Sequence, residues 1–226
     1  MSITLALPAA AITPEEAIRV VAINIRPSPF GRDLAEVEVV TRNLSLKTIT
    51  AWHMEGIAEY ADGHTEKRAI GADQIFYQFA PQFQQAWKPG QTRSDAMTVP
   101  VGPSGDLPVR ASCRIGAVVF DDDTAVGEKR LIQLIAAGRA NLARQGLQAV
   151  AAVEKALKSP DPANALRQYL QEKKITPQNG YYPGMEGNVY HLLVAGAPRE
   201  TIDAYLAMMR ESFLFLEAHA SLREEQ

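Results

Sequence analysis

The stretch Val118 to Lys129, VVFDDDTAVGEK, sets three carboxylates in a row between an apolar run and residues suited to open a helix. Three readings compete for it: an ion site, a catalytic acid cluster and a turn. A calcium loop of the EF-hand kind needs oxygen ligands at its first, third and fifth positions, glycine at the sixth and a bidentate glutamate at the twelfth. Counted from Asp121, these positions hold Asp121, Asp123, Ala125, Val126 and Ile132, so the last three do not fit. Adjacent aspartates on an extended strand also point to opposite faces, and they converge on one ion only across a sharp bend. An internal echo favours the bend alone. YADGHT at Tyr60 to Thr65 and FDDDT at Phe120 to Thr124 both run from an aromatic residue through acidic or small residues to threonine. Asp and Gly suit hairpin tips, because Gly accepts positive φ freely and Asp tolerates it while bonding to its own backbone. The acidic stretch is therefore read as a structural turn, with a weak divalent-ion site as the alternative.

The remaining groups capable of chemistry are scattered. The four histidines, His53, His64, His191 and His219, have none of the i, i+4 or Cys-neighbour spacing that builds a zinc site on one element. His53 and Glu55 share a strand face and could act as a base with its orienter, although the polar outer face of a sheet gives the same pattern. His191 follows Tyr190 on an apolar stretch, where a hydrogen-bonded structural histidine competes with a binding role. GPSGD around Ser104 lacks the glycine spacing of a nucleophile elbow, and no phosphate-binding or dinucleotide-binding glycine motif is present. Cys113 has Arg114 beside it in sequence but on the opposite strand face, which favours a packed, inert thiol. NGYYPGMEG, Asn179 to Gly187, puts two tyrosines on a turn-rich loop, as binding surfaces do; packing of the rings beneath the loop is the other reading. The candidate binding residues are thus Tyr181, Tyr182 and His191, and no catalytic residue, metal ligand or cofactor is assigned.

With 226 residues, 46% hydrophobic and 22% charged, the chain has enough apolar material for a globular core and a length that suits one large domain or two modest ones, of which two are expected. A net charge of −3 with 23 scattered basic residues leaves no footprint for nucleic acid. One cysteine excludes an intrachain disulfide. The amino-terminal MSITLALPAAAITPEEAIRV contains an apolar run ending in Ala9, Ala10 and Ala11, the small-residue pattern a signal peptidase accepts, but no charged segment precedes it. A periplasmic or secreted protein is expected from that pattern, with a flexible tail as the alternative. The run is too short and too Pro-interrupted to span a bilayer.

The elements that must position these residues fall into two blocks. From Ile18 to Asp121 strand signals alternate with Pro, Gly and Asp punctuation, and no helix is expected there. AEVEVVTRN sets Val37, Val39 and Thr41 on one face and Glu36 and Glu38 on the other. TITAWHMEGIAEY groups Trp52, Met54, Ala58 and Tyr60, and VRASCRIGAVVF groups Ala111, Cys113, Ile115, Ala117 and Val119, so Cys113 is expected to point inward. After Gly127 the period turns helical. Helices are expected from Glu128 to about Lys158 with Gly138 and Gly146 as bends, from Asp161 to near Lys174, over VYHLLVA, and from Pro198 to about Leu222.

A Trp on the third strand, Trp52, and a Cys on a late strand, Cys113, give the first block a layout that resembles immunoglobulin-like and fibronectin-type domains. The chain has no second cysteine, and Ala111 stands where antibody domains carry a tyrosine. The block is also similar to uncharacterised bacterial exported proteins whose sandwiches carry Asn-x-Ser, as in RNLSLKTITAW, and Phe-x-Asp, as in VVFDDDTAVG. The resemblance implies an α+β chain: an antiparallel immunoglobulin-like β-sandwich over about residues 15 to 126, then an α-helical region over about 127 to 226. The expected function is a non-enzymatic binding or assembly module of the bacterial cell envelope, with a protein partner or self-association. The alternative is a hydrolase drawing on His191, Tyr182, Asp122 or Glu186.

Overall fold

The computed structural model describes residues 12–75, 87–178 and 184–224. The protein is α+β, with two β-sheets followed by helices. Its elements run α1 (Pro14–Ala17), β1 (Ile18–Pro27), β2 (Leu34–Asn43), β3 (Ile49–Glu59), β4 (Thr65–Asp73), β5 (Thr92–Pro100), β6 (Arg110–Phe120), β7 (Thr124–Gly127), α2 (Lys129–Ala156), α3 (Pro162–Glu172), α4 (Gly184–Val194), α5 (Arg199–Ala218) and β8 (Arg223–Glu224). The chain divides into two compact units, Met1–Ala136 with Ser221–Gln226, and Ala137–Ala220. The division falls inside α2, so the chain passes from the first unit to the second along a helix.

The first unit holds both sheets, ordered β1-β2-β5 and β4-β3-β6-β7-β8. Their inward residues share one core, in which Ala35, Val37 and Val39 of β2 and Met97 and Val99 of β5 join Trp52, Met54, Ala58, Ile115, Val118 and Phe120. The alternation expected for β2 and β3 is present. On the outer face of β2, Glu36 pairs with Arg26, and Glu38 accepts from Ser94 at 2.6 Å and Asn24 at 3.0 Å. Those two bonds hold the Glu38 carboxyl below its ordinary range.

Two departures have local causes. Thr13 accepts from the Glu16 amide while Glu16 accepts from the Thr13 amide at 2.6 Å, a capping box that winds one helical turn, α1, just ahead of the strand block, where the sequence reading assigned no element. On β6 the alternation breaks. His53 of β3 pairs with Ala117 and Met54 with Ile115, leaving Gly116 as an extra residue. This bulge shifts the register by one. Cys113 and Ile115 keep to the core side, but Ala117 and Val119 turn to the outer face and Val118 and Phe120 take the inner positions. The outer face is apolar here: Ala51, Ala117, Val119 and Ala125 are covered by Leu131, Ile132 and Ile135 from the start of α2 and by Leu222. Gly116 allows this close approach, since a Cβ there would meet Leu131.

The second unit packs Val150, Val153, Leu166, Leu170, Val189, Ile202, Leu206, Phe213 and Leu216 into its interior. Asp161, where this helix was expected to start, caps α3 by accepting from the Asn164 amide, with Pro162 next. α4 begins at Gly184, five residues ahead of the expected VYHLLVA segment, and α5 ends at Ala218, so Leu222 lies outside it. Arg139, only 2% exposed, donates to the His219 carbonyl at 2.9 Å. It thereby places a cation at the end of α5, whose own last turn has no basic residue.

α2 is one unbroken helix, and its two glycines have different surroundings. A Cβ at Gly146 would overlap the Phe213 ring, whereas none of the described residues comes within 4 Å of one at Gly138. Alanine should therefore act with opposite sign at the two sites. Gly138→Ala gains about 0.5–1 kcal/mol from helix propensity. Gly146→Ala loses about 1–3 kcal/mol to overpacking. Urea midpoints of the two variants check this, and equal shifts would remove the close helix approach from the description.

Candidate functional site

One end of the two-sheet unit is built by the β2–β3 loop, the β6–β7 turn and the segment around Trp87. Asn43 closes β2 with 0% exposure. Its side-chain amide donates to Trp87 O at 2.8 Å and Lys47 O at 3.0 Å, while its Oδ1 accepts from the Ser45 amide at 2.9 Å and hydroxyl at 2.7 Å. The Ser45 hydroxyl also reaches Lys47 O at 2.9 Å. This is the local chemistry of Asx and hydroxyl turns, in which a short polar side chain replaces missing backbone partners. It gives the Asn-x-Ser stretch a structural meaning: residues 43 and 45 face inward and fix the loop, so residues 44 and 46 face out. Leu44 is 37% exposed and Leu46 is 96% exposed.

Beside this loop lies the acidic turn. Asp122 accepts from the Thr124 hydroxyl at 2.6 Å and amide at 3.1 Å, and pairs with Lys47 at 3.0 Å. Burial raises the Asp122 carboxyl, but the bonds from Thr124 and Lys47 outweigh it and hold the group below its ordinary range. Asp123 takes the left-handed conformation at φ 63°. At the echo of this sequence, Asp62 likewise accepts from the His64 amide at 2.9 Å and Gly63 has φ 85°. Both stretches are hairpin tips with the same Asx device. Among the described residues no group of three His, Cys, Asp or Glu side chains could hold a metal ion.

The other sequence candidates are placed as follows. Tyr181 and Tyr182 lie outside the described residues. His191 is on α4, half-buried, with its ring edge-on to Tyr190 at 5.6 Å. Glu186 stands in the first turn of the same helix. His53 is on the outer face of β3, where its buried Nδ1 has no hydrogen-bond partner among the described residues, and Glu55 pairs with Lys67 at 3.9 Å. Cys113 is half-buried rather than fully buried. Burial and the nearby Asp95 carboxylate push its thiol up to about 11. Asp95 in turn pairs with Arg93 at 3.2 Å, and the Arg93 guanidinium lies 4.3 Å from the Trp52 ring centre. Two charged residues thus point inward from the edge strand β5, a device that discourages edge-to-edge pairing. Sequence reasoning missed this pair because each residue looked like ordinary strand punctuation.

The thiol has an expected behaviour. At pH 7 native Cys113 should react with a maleimide far more slowly than in urea, and the rate should keep rising as pH approaches 11. A native rate equal to the unfolded one at pH 7 would contradict this environment.

No protein-family model and no curated protein matches the chain. Among solved structures, a hypothetical protein from Peptoclostridium difficile 630 is similar at 13% identity over 50% of this chain and 87% of that chain, with a TM-score of 0.36. That likeness is too slight to carry an argument. No described helix is long and apolar enough to cross a membrane.

Proposed function

We propose that the protein is a non-enzymatic binding or assembly module of the bacterial cell envelope that meets its protein partner through the β2–β3 loop. The observation that carries this reading is the treatment of Leu46, a large apolar side chain held 96% exposed by a loop that the buried, hydrogen-bonded side chains of Asn43 and Ser45 fix in place. An exposed leucine on a loose loop is ordinary, but a fixed one keeps its ordering cost out of binding. Envelope location rests on the Ala9 to Ala11 pattern.

The strand order supports an immunoglobulin- or fibronectin-type sandwich. Lettered in chain order with β4 as C′, the sheets read A-B-E and C′-C-F-G. In such domains the B–C and F–G loops share one end and serve as contact surfaces in variable domains. Here those are the β2–β3 loop and the acidic turn. Tyr60, whose hydroxyl donates to Pro100 O at the opposite end, gives a tyrosine clamp from a different strand than the usual one.

The test is Leu46→Asp in the cells that make the protein. The variant should melt within a degree or two of the parent and migrate as free protein on native gels of envelope extracts. Unchanged migration of a native complex would refute the loop as the contact surface.

A further inference from the structure

Of the three carboxylates in the acidic turn, two are engaged within the fold. Asp122 holds Thr124 and Lys47, and Asp123 is not free either. Asp121 has a different place. Its amide donates to Thr48 O at 3.0 Å, one step beyond the pairing of Ile49 with Phe120, so the turn is stitched to the end of the β2–β3 loop. Its side chain is exposed, and among the described residues its carboxylate has no ion pair or hydrogen bond. The loop's own cation, Lys47, is taken up by Asp122 and Thr124. Beside Leu46, then, stands one spare carboxylate on the same frame. Thr48 follows Leu46 by two residues, a span of at most about 7 Å, and paired residues of an antiparallel ladder lie about 5.5 Å apart. The α-carbons of Leu46 and Asp121 are therefore within about 13 Å, inside the patch of about 800 Å2 that one partner gives to a standard interface.

We infer that the partner docks with an apolar pocket for Leu46 and, next to that pocket, a lysine or arginine for Asp121. This rests on the reading of the β2–β3 loop as the contact surface and adds what the partner must carry. A carboxylate beside an apolar side chain repels phosphate and attracts a basic group, so charge complementarity selects a protein surface over a nucleic acid or an anionic bilayer. An exposed ion pair adds little affinity, but it orients the encounter, and two cations set against each other oppose it strongly. Removing the Asp121 charge and reversing it should thus differ in size. Because the side chain bonds to no described residue, both changes leave the turn's own bonds in place.

The experiment places a photoreactive residue at position 46 of the full chain, in the cells that make it, with Asp121 unchanged, as Asp121→Asn and as Asp121→Lys. All three proteins should melt within a degree or two of one another. The adduct should fall by at most about fivefold in Asp121→Asn and by at least tenfold in Asp121→Lys. Mass spectrometry of the parental adduct locates the crosslinked surface, and changing its basic residue nearest the crosslink to glutamate should restore the adduct of Asp121→Lys. A merely structural role for Asp121 gives no such rescue. Equal adduct from parent and Asp121→Lys, or a surface on which no exchange of a basic residue restores it, would overturn the carboxylate contact and leave the loop reading standing. An adduct with nucleic acid or lipid would overturn the inference as well. No adduct from any of the three, in protein that is folded and abundant, would remove the loop reading and with it the contact.

Discussion

Asn43→Ala is expected to lower the stability of the two-sheet unit by about 2–3 kcal/mol, the largest effect of any polar substitution at the loop end. The substitution removes bonds to the Lys47 and Trp87 carbonyls and to the Ser45 amide, all made by one buried side chain; Lys47 O keeps the Ser45 hydroxyl and Trp87 O keeps the Ile49 amide, so the Ser45 amide loses its acceptor outright. A buried group left without its partner costs about 1–3 kcal/mol, and the two weakened carbonyls add to that. Leu46→Ala is the matched control, since truncating an exposed side chain should stay within about 0.5 kcal/mol. Urea unfolding of both variants decides it. Equal, small losses would mean that the Asn43 bonds do not hold the loop.

Gly127→Ala should rank beside it, at about 2–4 kcal/mol, because two penalties coincide at one residue. Gly127 has φ 119°, a conformation L side chains rarely adopt. Its Cβ would also fall on the Gly116 carbonyl oxygen and within 2.8 Å of Ala117 Cα. These are backbone atoms of the neighbouring strand, so no rotamer change relieves the overlap. The same Gly116 carbonyl accepts from the Glu128 amide at 2.8 Å, which fixes where α2 begins. The variant should therefore lose protection from hydrogen exchange at Leu131 and Ile132 as well as stability. Unfolding at the parental urea concentration would show that the junction is looser than described.

Much of this architecture was legible from period alone. β2 alternates throughout and β3 alternates from Trp52 to Glu59, and the paired aspartate turns repeat one local device, so residue types sufficed there. β6 was misread beyond Ile115 because a bulge depends on the partner strand: nothing around Gly116 in sequence says that two residues face one. The T-x-x-E box at Thr13 was visible but hidden by a helix of one turn. The site was harder. Asn43 and Ser45 were noted as a shared motif, yet their inward direction, which leaves Leu46 exposed, follows from tertiary bonds to Trp87, far along the chain. Leu222 was read into the last helix because its apolar character suits a helix stripe and a cover on the outer face of the sheet equally well.

The central claim, that the protein binds its partner through a loop built to display Leu46, is met most directly by site-specific photo-crosslinking. A photoreactive residue is placed at position 46 and, as control, at Lys67 on the exposed edge of β4, in cells making the full chain. Irradiation should yield one discrete adduct from position 46 and none from position 67. Adducts of equal yield from both positions, or none from position 46 in protein that is folded and abundant, would contradict it.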